Sequence, residues 1–420
     1  MIKKIKSISP DNSIILKNLS YLTFLRVFNI GIKFLLVAYL VRVLGEFSYG
    51  ILTWSDAVIQ YFIMFVNFGF NIYAAKYIVE NKDNNEKINQ ITSSIFTIKL
   101  LLLILSFTTL FILSFFNPFA LHKSILFLML LMGIGEVFFP IWYFQGIEKL
   151  KPATFIVVFS RVLLIIGTIL LVKSSSDLIL HVILIVISNS IMGFLGYVTL
   201  LKKYNFKFIR VKFEVLRQFV QEAYMFFLGR FLSLTFNFAT IFLIGIYFTM
   251  DYVTGFDVAL KIVLVSIIPF DMLQQAVFPT ISRNKNKNVL KKLIWGSFVL
   301  GLIFMAVLYQ FSEQLLGLFG GQEMTKYADV LRALALITPM VAVTFMLGTC
   351  TLVAFDFHKE FNYSLILSSI LYIAFVAILT VLDKVTFWNL VYLRIISDFA
   401  LVSIRLYYTF KRKIFTNSIK

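Results

Sequence analysis

Six basic side chains lie deep inside long apolar stretches of this sequence, where a charge is costly. A lysine or arginine at the centre of a membrane helix costs about 2.5–3.5 kcal/mol on insertion scales, so it needs a partner, water or a ligand. Guanidinium and ammonium groups bind carboxylate and phosphate oxygens. The pattern predicts a cationic cavity for an anionic substrate, lined by Arg26, Lys33, Arg161, Arg230, Lys261 and Arg394.

Few acids lie near these cations in the sequence. Asp257 precedes Lys261 by four residues and Asp398 follows Arg394 by four, so each pair shares one face of a helix. For these two pairs an internal ion pair is the simpler interpretation, and cavity lining is the alternative. The other four cations have no acid within four residues, which favours cavity lining over pairing across helices.

Six further cations in the apolar stretches are less deep. Lys99 is intermediate in depth, and we expect the other five to extend to the lipid headgroups, as long basic side chains do near helix ends. These five are Arg42, Lys76, Lys123, Arg332 and Arg405.

Residues suited to enzyme chemistry are scarce. Cys350 is the single cysteine, the three histidines lie far apart, and the sequence contains no nucleophile motif, metal cluster or phosphate-binding glycine loop. We therefore predict no catalytic residue, no metal site and no cofactor.

The elements that position the cations are predicted to be membrane helices. Hydrophobic residues form 60% of the 420, and the mean hydropathy is +0.90. The apolar runs are about 20 residues long or more and do not alternate, which favours α-helices over a barrel. Twelve spans are predicted, at residues 18–44, 47–77, 91–115, 123–147, 152–172, 177–201, 219–248, 253–281, 290–311, 327–354, 361–382 and 385–410.

The distribution of basic residues predicts the orientation of these spans. The termini and every second loop carry 24 Lys and Arg, whereas the alternate loops carry 3. Such an excess marks cytoplasmic loops, so both termini are predicted to be cytoplasmic and the first helix to be retained. The net charge of +18 therefore indicates membrane topology rather than nucleic-acid binding.

A hydrophilic stretch divides the spans into two sets of six. It covers residues 202–217 and reads KKYNFKFIRVKFEVLR, with basic and apolar residues mixed as in a segment that lies on an anionic leaflet. The predicted domains are an N-terminal lobe at 1–201, a cytoplasmic basic linker at 202–217 and a C-terminal lobe at 218–420.

Several motifs resemble those of a known transporter family. The stretches are LGEFSYG at 44–50, NFGFN at 67–71, PIWYFQGIE at 140–148, GFDVALKI at 255–262 and PTISR at 279–283. Together they resemble the Wzx family of O-antigen and polysaccharide repeat-unit flippases, which is related to MATE exporters and lipid II flippases. The resemblance extends over essentially the whole chain, and PIWYFQGIE is its most specific element.

The resemblance implies an all-α inner-membrane protein with two six-helix lobes around a central cavity and alternating access. It implies transport of an undecaprenyl-pyrophosphate-linked oligosaccharide, the O-antigen repeat unit, from the cytoplasmic to the periplasmic leaflet. Coupling to protons or sodium would require a titratable acid; the candidates are Asp56, Glu136, Asp257 and Asp398. The implied partners are this lipid-linked oligosaccharide, membrane lipids, the polysaccharide polymerase and the chain-length regulator, with no nucleic acid.

Other functions fit the sequence less well. A flippase for capsular or other exopolysaccharide units would look the same. A MATE-type drug exporter, whose substrates are often cationic, would favour acids, yet the first span carries only Arg26 and Lys33 as charges deep within it. A lipid II flippase usually has two further helices, and a glycosyltransferase or polymerase would need a catalytic loop.

Overall fold

The computed structural model describes the backbone of residues 10–234 and 238–415, and the side chains of residues 31 and 34–415 except 226, 230 and 232–237. All regular elements in these residues are helical. This agrees with the predicted all-α fold, because a helix satisfies its backbone polar groups internally and so can cross lipid.

The first half of the described chain contains nine α-helices. They are α1 (Pro10–Asn67), α2 (Phe70–Glu80), α3 (Asn85–Leu113), α4 (Lys123–Leu130), α5 (Met132–Phe138), α6 (Ile141–Gly146), α7 (Leu150–Leu171), α8 (Leu178–Tyr204) and α9 (Phe213–Leu234). Short 3₁₀ turns at Phe119–His122 and Ser175–Asp177 precede α4 and α8.

The second half contains eight α-helices and one π-helix. The α-helices are α10 (Thr240–Tyr247), α11 (Met250–Asn284), α12 (Lys287–Gln310), α13 (Ser312–Gly320), α14 (Ala328–Leu334), α15 (Ile337–Phe345), α16 (His358–Val381) and α17 (Phe387–Lys411). The π-helix, Met346–Val353, continues directly from α15, and a 3₁₀ turn at Gln322–Tyr327 precedes α14.

Three breaks interrupt the helices of the first half. α1 bends at Gly45, whose φ of 76° strains residues other than glycine. A second break separates α1 from α2 at Phe68 and Gly69, which also have positive φ. The third lies at Pro140, which has no N–H to donate to the carbonyl four residues earlier.

The number of membrane crossings fits the prediction of about twelve. Nine helical stretches of the described residues are long and apolar enough to cross a bilayer, and a bent pair, Gln322–Leu334 with Ile337–Val353, gives a tenth. One of the nine, Phe34–Glu80, has 47 residues, or about 70 Å of helix, more than twice a bilayer core of about 30 Å. Counted from Pro10, the bend at Gly45 divides α1 into residues 10–44 and 46–67, each long enough to cross a bilayer core.

Two compact units are found within the described residues. One contains the described part of residues 1–36 together with 58–231, and the other contains residues 37–57 together with the described part of 232–420. We refer to them as the first and second unit. The lobes predicted at 1–201 and 218–420, and the cytoplasmic position of the termini, stay predictions.

The core of the first unit contains the PIWYFQGIE stretch. Trp142 and Phe144 are completely buried among aromatic residues of α3 and α8. Gly146 lies against α2, where an added Cβ would be 2.7 Å from the side chain of Ile78. This stretch is therefore packed as part of the scaffold, which explains its large aromatic residues and its glycine.

Candidate functional site

The stretches LGEFSYG and GFDVALKI pack against each other in the second unit. The hydroxyl of Thr254 donates to the backbone carbonyl of Glu46 at 2.6 Å. Gly50 lies directly on the backbone of α11, because an added Cβ would be 2.0 Å from the carbonyl oxygen of Met250. The two stretches are separated by about 200 residues and form the two sides of one contact.

This close approach gives a sharp prediction about Gly50. Replacing Gly50 with alanine is expected to lower the unfolding free energy by about 1–3 kcal/mol, because the helices have to separate to admit the methyl group. The thermal midpoint of the purified protein in detergent measures this effect. Gly296 on α12 is the matched control, since its added Cβ would meet nothing within 4 Å. A Gly50→Ala midpoint equal to that of Gly296→Ala would contradict the packing described.

A triad of polar side chains lies in this contact. The Tyr49 hydroxyl donates to the carboxylate of Asp257 at 2.9 Å. The Lys261 ammonium donates to the same carboxylate oxygen at 2.5 Å and to the Tyr49 hydroxyl at 2.8 Å. It also lies 5.4 Å from the centre of the Tyr49 ring, within range of a cation–π interaction. We call these three residues the Tyr49 triad.

Depth and exposure distinguish the members of the Tyr49 triad. Lys261 lies eleven residues after the start of α11, or about 16 Å along the helix, close to half the thickness of a bilayer core. Asp257 and Tyr49 are buried, whereas 32% of the Lys261 side chain is exposed. The lysine therefore has a buried counter-ion, while protein leaves part of its own side chain uncovered.

The second predicted pair forms a buried ion pair in α17. Arg394 donates to the carboxylate of Asp398, and both residues are about 5% exposed. The Nε atom of Arg394 is buried and has no hydrogen-bond acceptor among the described residues. The ion-pair interpretation is therefore met for Arg394 and Asp398, and cavity lining by Arg394 stays a prediction. Lys261 also forms an ion pair, but part of its side chain is exposed.

The other predicted cavity residues differ in what the structure describes. Arg161 is half-buried in the first unit and points one Nη atom at the amide oxygen of Asn189, at 3.5 Å. The side chains of Arg26, Lys33 and Arg230 lie outside the described residues. The proposed cavity lining by these four residues stays a prediction.

Lys99 is a buried cation whose role sequence reasoning missed. It is 1% exposed, and its ammonium donates to the backbone carbonyl of Glu136 at 2.6 Å. That carbonyl is the one left without a partner by Pro140, four residues later, because proline has no N–H. In the sequence, Pro140 four residues after Glu136 was the signal that the Glu136 carbonyl would need a donor from a distant residue.

Two coupling candidates lie in less enclosed positions. The Glu136 side chain is half-buried and accepts from the Asn67 amide at 3.4 Å. Asp56 is half-buried in α1, within the second unit. The described residues contain no group of three or more His, Cys, Asp or Glu able to hold a metal ion.

A carboxylate held by two tyrosines was also missed. In the first unit, Glu222 on α9 accepts from the hydroxyls of Tyr73, at 2.8 Å, and Tyr77. Gln218 donates to its other oxygen at 2.9 Å. Tyr73 and Tyr77 are four residues apart on α2, and this spacing was the signal in the sequence that their hydroxyls share one face. The cluster joins α2 to α9.

Arg405 does not reach the lipid headgroups, so that prediction was wrong. It is 4% exposed, donates to the Thr344 carbonyl at 2.8 Å and lies over the ring of Phe361. The reason is the π-helix that begins two residues after Thr344. A switch from α to π winding changes the hydrogen-bond register and leaves carbonyls that a buried donor can satisfy.

Two sequence comparisons both match this chain to polysaccharide-related proteins. Residues 15–285 match the model of a protein family described as polysaccharide biosynthesis protein, and this range contains both stretches of the Tyr49 contact. A protein of Escherichia coli (strain K12) described as "Putative O-antigen transporter" is 23% identical over 375 residues. These cover 88% of this chain and 90% of that protein.

Two solved structures show the same fold. The lipid II flippase MurJ in an inward closed conformation matches with a TM-score of 0.73 and 16% identity, covering 94% of this chain and 87% of that chain. An inward-facing multidrug resistance MATE family transporter of the MOP superfamily matches with a TM-score of 0.70 and 15% identity, covering 96% and 99%.

Proposed function

The chain belongs to the polysaccharide biosynthesis protein family, and from this premise we propose that it flips an undecaprenyl-pyrophosphate-linked oligosaccharide across the bacterial inner membrane. It is a multi-pass membrane transporter and not an enzyme. The proposed direction is from the cytoplasmic to the periplasmic leaflet, and the proposed substrate is an O-antigen repeat unit. A glycan is too polar to cross hydrocarbon alone, so it needs such a carrier.

The observation that supports this proposal most is the partly exposed Lys261 side chain, which lies about 16 Å from the start of α11. A lysine is a compact point charge that suits a phosphate group, and a low-dielectric surrounding strengthens the attraction. A cationic drug would be repelled by the same group, so the lysine favours an anionic substrate over a MATE-type one. Flippases for capsular or other exopolysaccharide units have the same requirement and remain the alternative within this function.

The Tyr49 triad offers a mechanism in which Lys261 exchanges one anionic partner for another. In the absence of substrate, Asp257 neutralises Lys261. When a proton neutralises Asp257, the ammonium loses its counter-ion and binds the substrate pyrophosphate instead. Leaving a charge unpaired in a buried site is costly, so proton uptake and substrate binding favour each other, and the two cross the membrane in the same direction. The pair forms again once the substrate has left.

This mechanism predicts the behaviour of an Asp257→Asn variant in proteoliposomes with an imposed proton gradient. A proton gradient that runs in the same direction as the substrate moves is expected to accelerate flipping by the wild type but not by Asp257→Asn, because the amide cannot take up the coupling proton. Asp271→Asn is the matched control, since Asp271 lies on the same helix and bonds to Gln275. Equal wild-type rates with and without the gradient would exclude proton coupling. A gradient response retained by Asp257→Asn would assign coupling to Asp56, Glu136 or Asp398.

A further inference from the structure

The chain between α8 and α9 is held in a fixed position although it is not helical. α8 ends at Tyr204, the following residue Asn205 has a φ of 50°, and the N–H of Phe206 then donates to the carbonyl of Leu200 at 3.2 Å. Phe206 and Leu200 are both buried in the core of the first unit. The left-handed residue, this bond and the apolar contact together fix the exit of the chain from the helix.

Two further bonds tie this chain to the beginning of α3. The N–H of Lys207 donates to the side-chain oxygen of Asn89 at 3.3 Å, and the N–H of Ile209 donates to the hydroxyl of Ser93 at 2.9 Å. The segment thus lies where α8 ends and α3 begins, at one end of the first unit. Its backbone is secured by these bonds, and most of its side chains are exposed.

The outward side chains are basic and aromatic. Residues 202–213 contain no Asp or Glu. Phe208 is 58% exposed and Phe213 is 73% exposed. Five cations of this stretch are exposed and form no ion pair with other described residues: Lys202, Lys203, Lys207, Arg210 and Lys212. We call residues 202–213 the basic segment.

We propose that the basic segment binds the anionic headgroups of phospholipids in the leaflet beside it. Each lysine or arginine near an anionic membrane surface contributes attraction, and several close together add up to stable contact. Exposed phenylalanine rings gain by entering the boundary between headgroups and acyl chains, which lies at the ends of the membrane helices. Because the backbone is already fixed, binding does not require a further loss of backbone conformational entropy. The inference is independent of the transported substrate.

The test uses the full-length protein in nanodiscs and a tryptophan at position 208. Phe208→Trp places a reporter in the basic segment, and its fluorescence is obtained by subtracting that of the parent protein with its four native tryptophans. Nanodiscs contain phosphatidylcholine with the same fraction of phosphatidylglycerol, and either one lipid or the other carries brominated acyl chains. Bromine quenches tryptophan only at short range, so the quenching reports which lipid is adjacent.

The expected result is quenching by brominated phosphatidylglycerol at least about twofold above that expected from its share of the lipid. Replacing the five cations with glutamine should remove this preference. The control replaces Arg283, Lys287, Lys291 and Lys292 of the loop around the start of α12, and it should keep the preference. Phe213→Trp provides a second reporter on the same segment.

Three outcomes would overturn the proposal. Quenching by the two brominated lipids in proportion to their amounts would show no preference for anionic phospholipid. A preference that persists without the five cations would assign it to other residues. Loss of the phosphatidylglycerol preference on adding a small fraction of undecaprenyl pyrophosphate would show that the segment binds the lipid diphosphate instead. None of these results would alter the transport proposal, which rests on Lys261.

Discussion

Replacing Lys261 with methionine is expected to abolish surface polysaccharide in a strain that lacks the chromosomal copy. Because Asp257 loses its counter-ion in this variant, the comparison is made at equal amounts of protein in the membrane. Methionine keeps the length and apolar stem of lysine but removes the charge that would bind the pyrophosphate. Loss of a hydrogen bond to a charged group costs about 1.5–3 kcal/mol, which is at least about a tenfold loss of affinity. Immunoblotting of membranes and staining of the polysaccharide measure the two quantities.

The matched control for Lys261 is Lys326, which also belongs to a lysine–carboxylate pair of the second unit. Its ammonium lies 2.7 Å from the Glu46 carboxylate, but 57% of its side chain is exposed. Exposed pairs contribute little, so Lys326→Met should retain polysaccharide. Lys261→Arg keeps the charge and should retain part of the activity. Wild-type polysaccharide in Lys261→Met would reject the role of Lys261.

Replacing Arg394 with methionine is expected to destabilise the protein strongly. The substitution leaves the Asp398 carboxylate in a site that is about 5% exposed, without the guanidinium that neutralises it. Removing one partner of a buried ion pair costs about 3–5 kcal/mol, which would lower the thermal midpoint and the yield of monodisperse protein. Both are measurable in detergent by size-exclusion chromatography after heating.

The double variant Arg394→Met/Asp398→Leu distinguishes a structural role from a transport role. Replacing both partners by apolar residues of similar volume is often neutral or stabilising, so the thermal midpoint should recover. If the arginine acts only through its ion pair, transport should recover as well. A stable double variant without transport would instead give Arg394 a role in substrate binding or Asp398 a role in ion coupling, as the sequence pattern first suggested.

Much of the architecture was predictable because its causes are local. Apolar runs and the four-residue spacing of Asp257 and Lys261 predict membrane helices and an ion pair on one face of α11, and both are present. The resemblance to polysaccharide flippases rested on short motifs, and the family match over residues 15–285 confirms it. The all-α fold is confirmed as well, by the helices and by the likeness to MurJ.

The partners that come from distant parts of the chain were not predictable. Tyr49 joins Asp257 from 208 residues away, and no periodicity in the sequence connects them. Lys99 bonds a backbone carbonyl, which leaves no trace in the pattern of side chains. The position of Arg405 near the end of an apolar run predicted a side chain that extends to the headgroups. Its burial depends on a π-helix, which the spacing of residues in the sequence does not reveal. A charged residue in a membrane helix thus indicates that it has a partner, but the sequence does not show which residue that partner is.

The most direct test of the account is flipping by the purified protein in proteoliposomes. A fluorescent undecaprenyl-pyrophosphate-linked oligosaccharide is placed in both leaflets, and an impermeant reductant bleaches the molecules that reach the outer surface. The account predicts nearly complete bleaching with the wild type and Lys326→Met, and bleaching of about half with Lys261→Met or empty liposomes. Half bleaching with the wild type, or complete bleaching with Lys261→Met, would contradict it.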